Sequence, residues 1–145
     1  MLSMEVVFTD THDTLLDGRY LILRRLGQGA FGEVFLTRHV GLGVYRAVKR
    51  IRKSKDVHNT RRKEADALKN LRHTSLPIIY DIDEDDVYFY IVEEYIEGIS
   101  LSEYVRDRTR LAQDETCSVI MSICTVLSYM QTQAGLLHLD IKPDN

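Results

Sequence analysis

Gly27-Gln28-Gly29-Ala30-Phe31-Gly32-Glu33-Val34 is the stretch on which the reading of the fold turns. Glycines at this spacing let a backbone come close to phosphate oxygens, because no Cβ stands in the way. Dinucleotide-binding folds use a similar pattern, but there the glycines open a helix and an acid for the ribose follows about 20 residues on. Here Glu33–Arg38 (EVFLTR) leaves the glycines as a strand, and Arg52 stands where the acid would be. The dinucleotide reading fails on both counts.

Outward from the glycines the pattern is first strand-like. Tyr20–Leu26 runs into the turn, Glu33–Arg38 leaves it, and Val44–Ile51 follows the Gly41-Leu42-Gly43 turn. Between Asp56 and Leu71 the period becomes helical, with Ala65, Leu68 and Leu71 on one face and Asp56 placed to cap the start. Two more strands, Ile78–Ile82 and Val87–Glu93, flank the acidic turn Asp83-Glu84-Asp85-Asp86. Glu97-Gly98 then breaks the chain, a short helix begins near Ser100, and a long one runs from about Gln113 to Gln133. The expectation is an α+β fold: a five-stranded antiparallel sheet with one helix, followed by further helices. Residues 1–19 are read as a polar lead-in or small added element, 20–96 as the sheet-bearing unit, and 97–145 as a connector and a helical unit.

Bulk properties narrow the function classes. A chain of 145 residues, 44% hydrophobic and 28% charged, has the composition of an ordinary soluble domain with a real core. A net charge of −3 argues against a protein that coats nucleic acid. Cys117 and Cys124 fall seven residues apart in a helical segment, about 10 Å of rise, too far for a disulfide. They are read as small buried side chains in a reducing compartment, which points to the cytoplasm. The apolar run Cys117–Met130 is 14 residues long, which suits a buried core helix better than a membrane span.

Two further features bear on chemistry. Ala47-Val48-Lys49 sets a lysine on the third strand, a point charge suited to phosphates, and Glu64 lies 15 residues on in the helix as a carboxylate to position it. The chain then closes on His138-Leu139-Asp140-Ile141-Lys142-Pro143-Asp144-Asn145. With these motifs in order and sensibly spaced, residues 20–145 resemble the protein kinases, and most closely the bacterial Ser/Thr kinases of eukaryotic type. Leu71-Arg72-His73, Val92–Gly98 (VEEYIEG) and the Lys142-Pro143 pair fit that group.

The resemblance implies a kinase N-lobe over 20–96 and the hinge and first C-lobe helices over 97–145. It implies ATP and Mg2+ as cofactors and Ser/Thr residues of proteins as substrates in the full-length enzyme. Asp140 would accept the substrate hydroxyl proton, Lys142 would offset charge on the transferred phosphoryl group, and Asn145 would hold a magnesium ion. Gly27, Gln28, Gly29, Ala30, Phe31 and Gly32 would cover the phosphates, with Lys49 and Glu64 behind them. Leu26, Val34 and Ala47 would enclose the adenine, and the backbone of Glu94 and Ile96 would bond its edge. His138 is read as structural.

Three departures from the family carry expectations of their own. Leu139 replaces the arginine that often reads a phosphorylated activation loop, so activity independent of that phosphorylation is expected. Glu93 stands where an apolar residue commonly backs the adenine pocket. In one register it faces water; in the other it is a partly buried carboxylate that needs a partner, with Lys49 the obvious one and Glu64 its rival. Finally, no Asp-Phe-Gly motif follows within the 145 residues, so the chain alone is expected to be inactive, and its apolar helix 113–133 is expected to drive self-association. The competing function is a non-catalytic module that binds nucleotide or a partner kinase.

Overall fold

A computed structural model describes residues 14–29, 32–53, 58–106, 110–138 and 141–144, with backbone alone for 58–61 and 64. Six strands form one antiparallel sheet: β1 (Thr14–Leu15), β2 (Tyr20–Gly29), β3 (Gly32–His39), β4 (Tyr45–Arg52), β5 (Ile79–Glu84) and β6 (Tyr88–Glu94). Their spatial order is β1-β2-β3-β4-β6-β5. Three helices accompany them: α1 (His58–Leu68), α2 (Leu101–Arg106) and α3 (Gln113–Ala134). The five expected strands and the helix between the third and fourth of them are all present. The proposed cap Asp56 lies outside the described residues.

The addition is β1, which falls in the stretch read as a lead-in. It pairs with β2 (Thr14 with Leu21, Leu15 with Tyr20) through a turn in which Leu16, Asp17 and Gly18 all have positive φ. Leu15 and Leu16 are buried against Tyr20, Phe35, Val48, Tyr90 and Val92, so this short hairpin closes one face of the sheet. Arg19 fixes it from the rim, donating to Asp81 at 3.2 Å and pairing with Asp83 on β5. Thr37, fully buried within the sheet, donates its hydroxyl to the carbonyl of Arg46 at 3.1 Å.

The other face holds α1 and, farther along, a cleft. Successive strand residues alternate between faces, so pairing of Val34 with Lys49 and of Ala47 with Glu93 sets all four on the α1 side. Ile51, Ala65 and Phe89 form a second buried cluster there, with Ile82 and Ile91 against it. Glu84 on β5 accepts from Arg62 of α1 at 2.7 Å and pairs with Lys53, just past β4, at 3.2 Å, so one carboxylate ties both α1 and the end of β4 to β5.

The helical part is joined to the sheet through the segment after α1. The backbone N–H of Arg72 donates to the Tyr129 hydroxyl of α3 at 3.1 Å, and the His73 ring lies 5.1 Å from the Tyr129 ring. Ser100 and Glu103 bond reciprocally at the start of α2, each side chain accepting the other's backbone N–H at 3.2 Å. Glu115 joins α3 to α2 by accepting from the Ala112 N–H and the Tyr104 hydroxyl, both at 3.0 Å. Gly135, at φ 63°, ends α3 with its N–H on the Gln131 carbonyl.

One expectation about α3 needs correction. Cys117 and Cys124 are free, as expected, but exposed rather than buried. Among the described residues the helix is covered along a narrow stripe in which Val126 and Met130 are buried, in keeping with the expectation that much of its apolar surface is exposed in these 145 residues. Cys124 stands two positions from Val126, about 200° round the helix, and Ile120 and Met121 are exposed as well. Among the described residues no helix is long and apolar enough to cross a membrane.

Candidate nucleotide cleft and catalytic segment

The glycine stretch folds as the tip of a hairpin. Gly27 pairs with Val34, Gln28 with Glu33 and Gly29 with Gly32; Ala30 and Phe31 lie outside the described residues. The returning strand is pinned from behind. Glu33 accepts from Arg50 at 2.6 Å and from Arg25 at 3.3 Å, and the hydrogen bond from Arg50 holds its carboxyl below the usual range. Arg50 in turn lies between the rings of Phe35 and Tyr88, with its guanidinium carbon 4.9 and 4.8 Å from their centroids.

Leu26 owes its position to an irregularity that no alternation pattern shows. It is the extra residue of a bulge between the Arg25–Phe35 and Gly27–Val34 pairs. Leu26, Val34, Ala47, Glu94 and Ile96 line one cleft of about 470 Å³. That brings together five of the residues assigned to a nucleotide from sequence. Sequence reasoning missed Arg24, Pro77, Tyr95, Gly98, Ile99 and Glu103, which line the same cleft. Arg24 follows another bulge, and Glu103 comes from α2, so neither had a periodic signal.

Glu93 also lines this cleft. Its pairing with Ala47 resolves the question of register: the side chain faces inward. Burial pushes its carboxyl above the usual range, against the opposing pull of the Lys49 ammonium. A folded chain that holds this proton more tightly than the unfolded chain loses stability as pH rises from the ordinary value of 4.5 through the raised one. Glu93→Leu is therefore expected to raise the melting temperature at pH 7.5, by the equivalent of about 1–3 kcal/mol. The gain should shrink towards pH 4, where the wild-type carboxyl is neutral in both states; thermal melts across that range check it.

The neighbouring Glu94 is occupied differently. Its N–H donates to the Ile78 carbonyl at 2.8 Å and its carboxylate accepts the Ile78 N–H at 3.2 Å, which holds the start of β5. Of the segment 138–145, His138 and Lys142 are exposed, and Leu139, Asp140 and Asn145 lie outside the described residues, as does the side chain of Glu64. The segment is nevertheless anchored. The Pro143 carbonyl accepts the Ser102 N–H at 2.9 Å, and the Ser102 hydroxyl bonds the Asp144 carboxylate. It therefore sits at the start of α2, the helix that also lends Glu103 to the cleft.

Comparison with known proteins agrees with this arrangement. The protein kinase domain family matches residues 20–145. The Ser/Thr protein kinase PrkC of Bacillus subtilis is 33% identical over 134 residues, covering 90% of this chain and 20% of PrkC. Serine/threonine-protein kinase D of Synechocystis is 32% identical over 139 residues, with 88% of this chain and 26% of that protein covered. In three dimensions the chain is similar to the kinase domain of Mycobacterium tuberculosis PknI. That match has a TM-score of 0.76 at 27% identity and covers 88% of this chain and 53% of that one. The chain belongs to the protein kinase family, and its curated relatives resemble it through a fifth to a quarter of their own length. The family uses ATP and Mg2+ in phosphoryl transfer.

Proposed function

We propose that residues 20–96 bind Mg–ATP, and that 97–145 bring the catalytic loop of a Ser/Thr protein kinase to it. The observation that supports this best is the first two glycines of the stretch, Gly27 and Gly29. An added Cβ at Gly27 or Gly29 would meet nothing within 4 Å, and neither has a positive φ. Among the described residues nothing requires glycine at these two positions, whereas a bound polyphosphate would.

The apolar walls of Leu26, Val34 and Ala47 suit a flat base. Lys49, set deeper on the same face, suits the phosphates. Asp140 would take the hydroxyl proton, with Lys142 offsetting charge and Asn145 holding magnesium when the ion is bound. Leu139 offers no guanidinium for a phosphorylated segment, so activity of the whole enzyme should not depend on one.

Titration calorimetry of the 145-residue chain with Mg–ATP tests the reading. Binding is expected, and Lys49→Met should weaken it at least tenfold, since a hydrogen bond to a charged group contributes about 1.5–3 kcal/mol. A folded chain that takes up no Mg–ATP overturns the proposal.

A further inference from the structure

Glu93 lines the cleft beside Ala47 and faces inward; among the described residues the Lys49 ammonium acts on it through space, but no hydrogen bond or ion pair holds it. Its neighbour Glu94 has the Ile78 N–H, and Glu103 at the cleft's other side has the Ser100 N–H. A partly buried carboxylate with no hydrogen-bond donor costs free energy that a ligand donor can recover. Opposite a ligand carbonyl the ionised group would set acceptor against acceptor, and it could bond there only by first taking up a proton.

We infer that the Glu93 side chain adds a base-selecting contact to those of the Glu94 and Ile96 backbone, accepting a hydrogen bond from an exocyclic amine and so favouring a 6-aminopurine over a 6-oxopurine nucleotide. The inference rests on the nucleotide reading above and goes beyond it. It makes Glu93 a recognition group rather than a second anchor for Lys49. Binding sites with a polar group aimed at one substituent reject the analogue that lacks it far more strongly than apolar pockets reject an added methylene.

Mg–ATP and Mg–ITP differ at the 6-position, where an amine becomes a carbonyl, and both can be titrated against the 145-residue chain. The wild type is expected to favour ATP at least tenfold. Glu93→Gln can accept through its carbonyl or donate through its amide. It should keep ATP affinity within about threefold while ITP binding strengthens about tenfold. Glu93→Leu bonds neither base and should also reduce the ATP-to-ITP ratio about tenfold. A ratio unchanged in both variants, or a wild type that binds the two alike, overturns the inference while leaving nucleotide binding intact. A wild type that binds neither nucleotide overturns both readings together.

Discussion

Gly32→Ala is expected to unfold the chain or cost it about 2–6 kcal/mol, while Gly29→Ala, three residues away, leaves stability within about 0.5 kcal/mol. Gly32 has φ 130°, a conformation that side-chain-bearing residues rarely adopt. A Cβ there would also lie 2.2 Å from the carbonyl oxygen of Arg50. That atom is backbone in the middle of β4, paired through Tyr90 to β6, so it cannot swing away as a side chain would. Gly29 has neither constraint. Its substitution should instead weaken Mg–ATP binding, because the space above it is what the ligand needs. Thermal melts and nucleotide titration of the two variants side by side separate a glycine that serves the fold from one that serves the site. Equal melting temperatures would refute the division.

Phe89→Ala should be the most damaging change in the core, at about 3–5 kcal/mol. Phe89 is 1% exposed and packs with Ile51 and Ala65, the contact that seats α1 on the sheet. At about 2–4 °C per kcal/mol for a chain of this size, the melting temperature should fall by roughly 10 °C. There should be a second effect at a distance. Glu64 is the residue before Ala65 on α1, so loosening this contact loosens the carboxylate assigned to Lys49. Nucleotide affinity should therefore drop in a variant that touches no nucleotide, even below its own melting transition. Calorimetry at about 10 °C, well under that transition, checks this; unchanged affinity there would mean that α1 does not depend on Phe89 for its position.

Much of this molecule could be read from the chain because its strands keep a period of two and its first helix a period near 3.6. Ala65, Leu68 and Leu71 were read as one helical face; Ala65 is buried within α1, whereas Leu71, also buried, lies three residues past the end of the helix at Leu68. The inward aim of Glu93 follows from the same alternation once its pairing with Ala47 is known, but pairing is a long-range fact and the sequence left both registers open. The hairpin at Thr14–Leu15 escaped because two residues carry no period, and its turn uses positive φ at Leu16 and Asp17, where side chains give no warning of it. The bulge that turns Leu26 into the cleft is likewise silent in composition. Cys117 and Cys124 were misjudged for a different reason. Apolar residues nearly all round a helix suggest burial on every side, yet a neighbour covers α3 along one stripe only among the described residues.

The bond between the Arg72 N–H and the Tyr129 hydroxyl sets how the cleft can breathe. The six strands and α1 are laced together by the sheet ladder, the Phe89 cluster and the Glu84 pairs, so they move as one body. Glu103 and Ile99, on the far lip of the cleft, belong to the segment that leads into the helices. A rotation about the Tyr129 contact would act as a jaw pivoting behind its own mouth, widening the gap between Leu26 and Glu103 without parting a single strand pair. Loosening that pivot costs about one hydrogen bond, roughly 0.5–1.5 kcal/mol, which thermal motion supplies freely. Such a rotation would let a ligand of nucleotide size pass in and out while the sheet that shapes its seat stays whole.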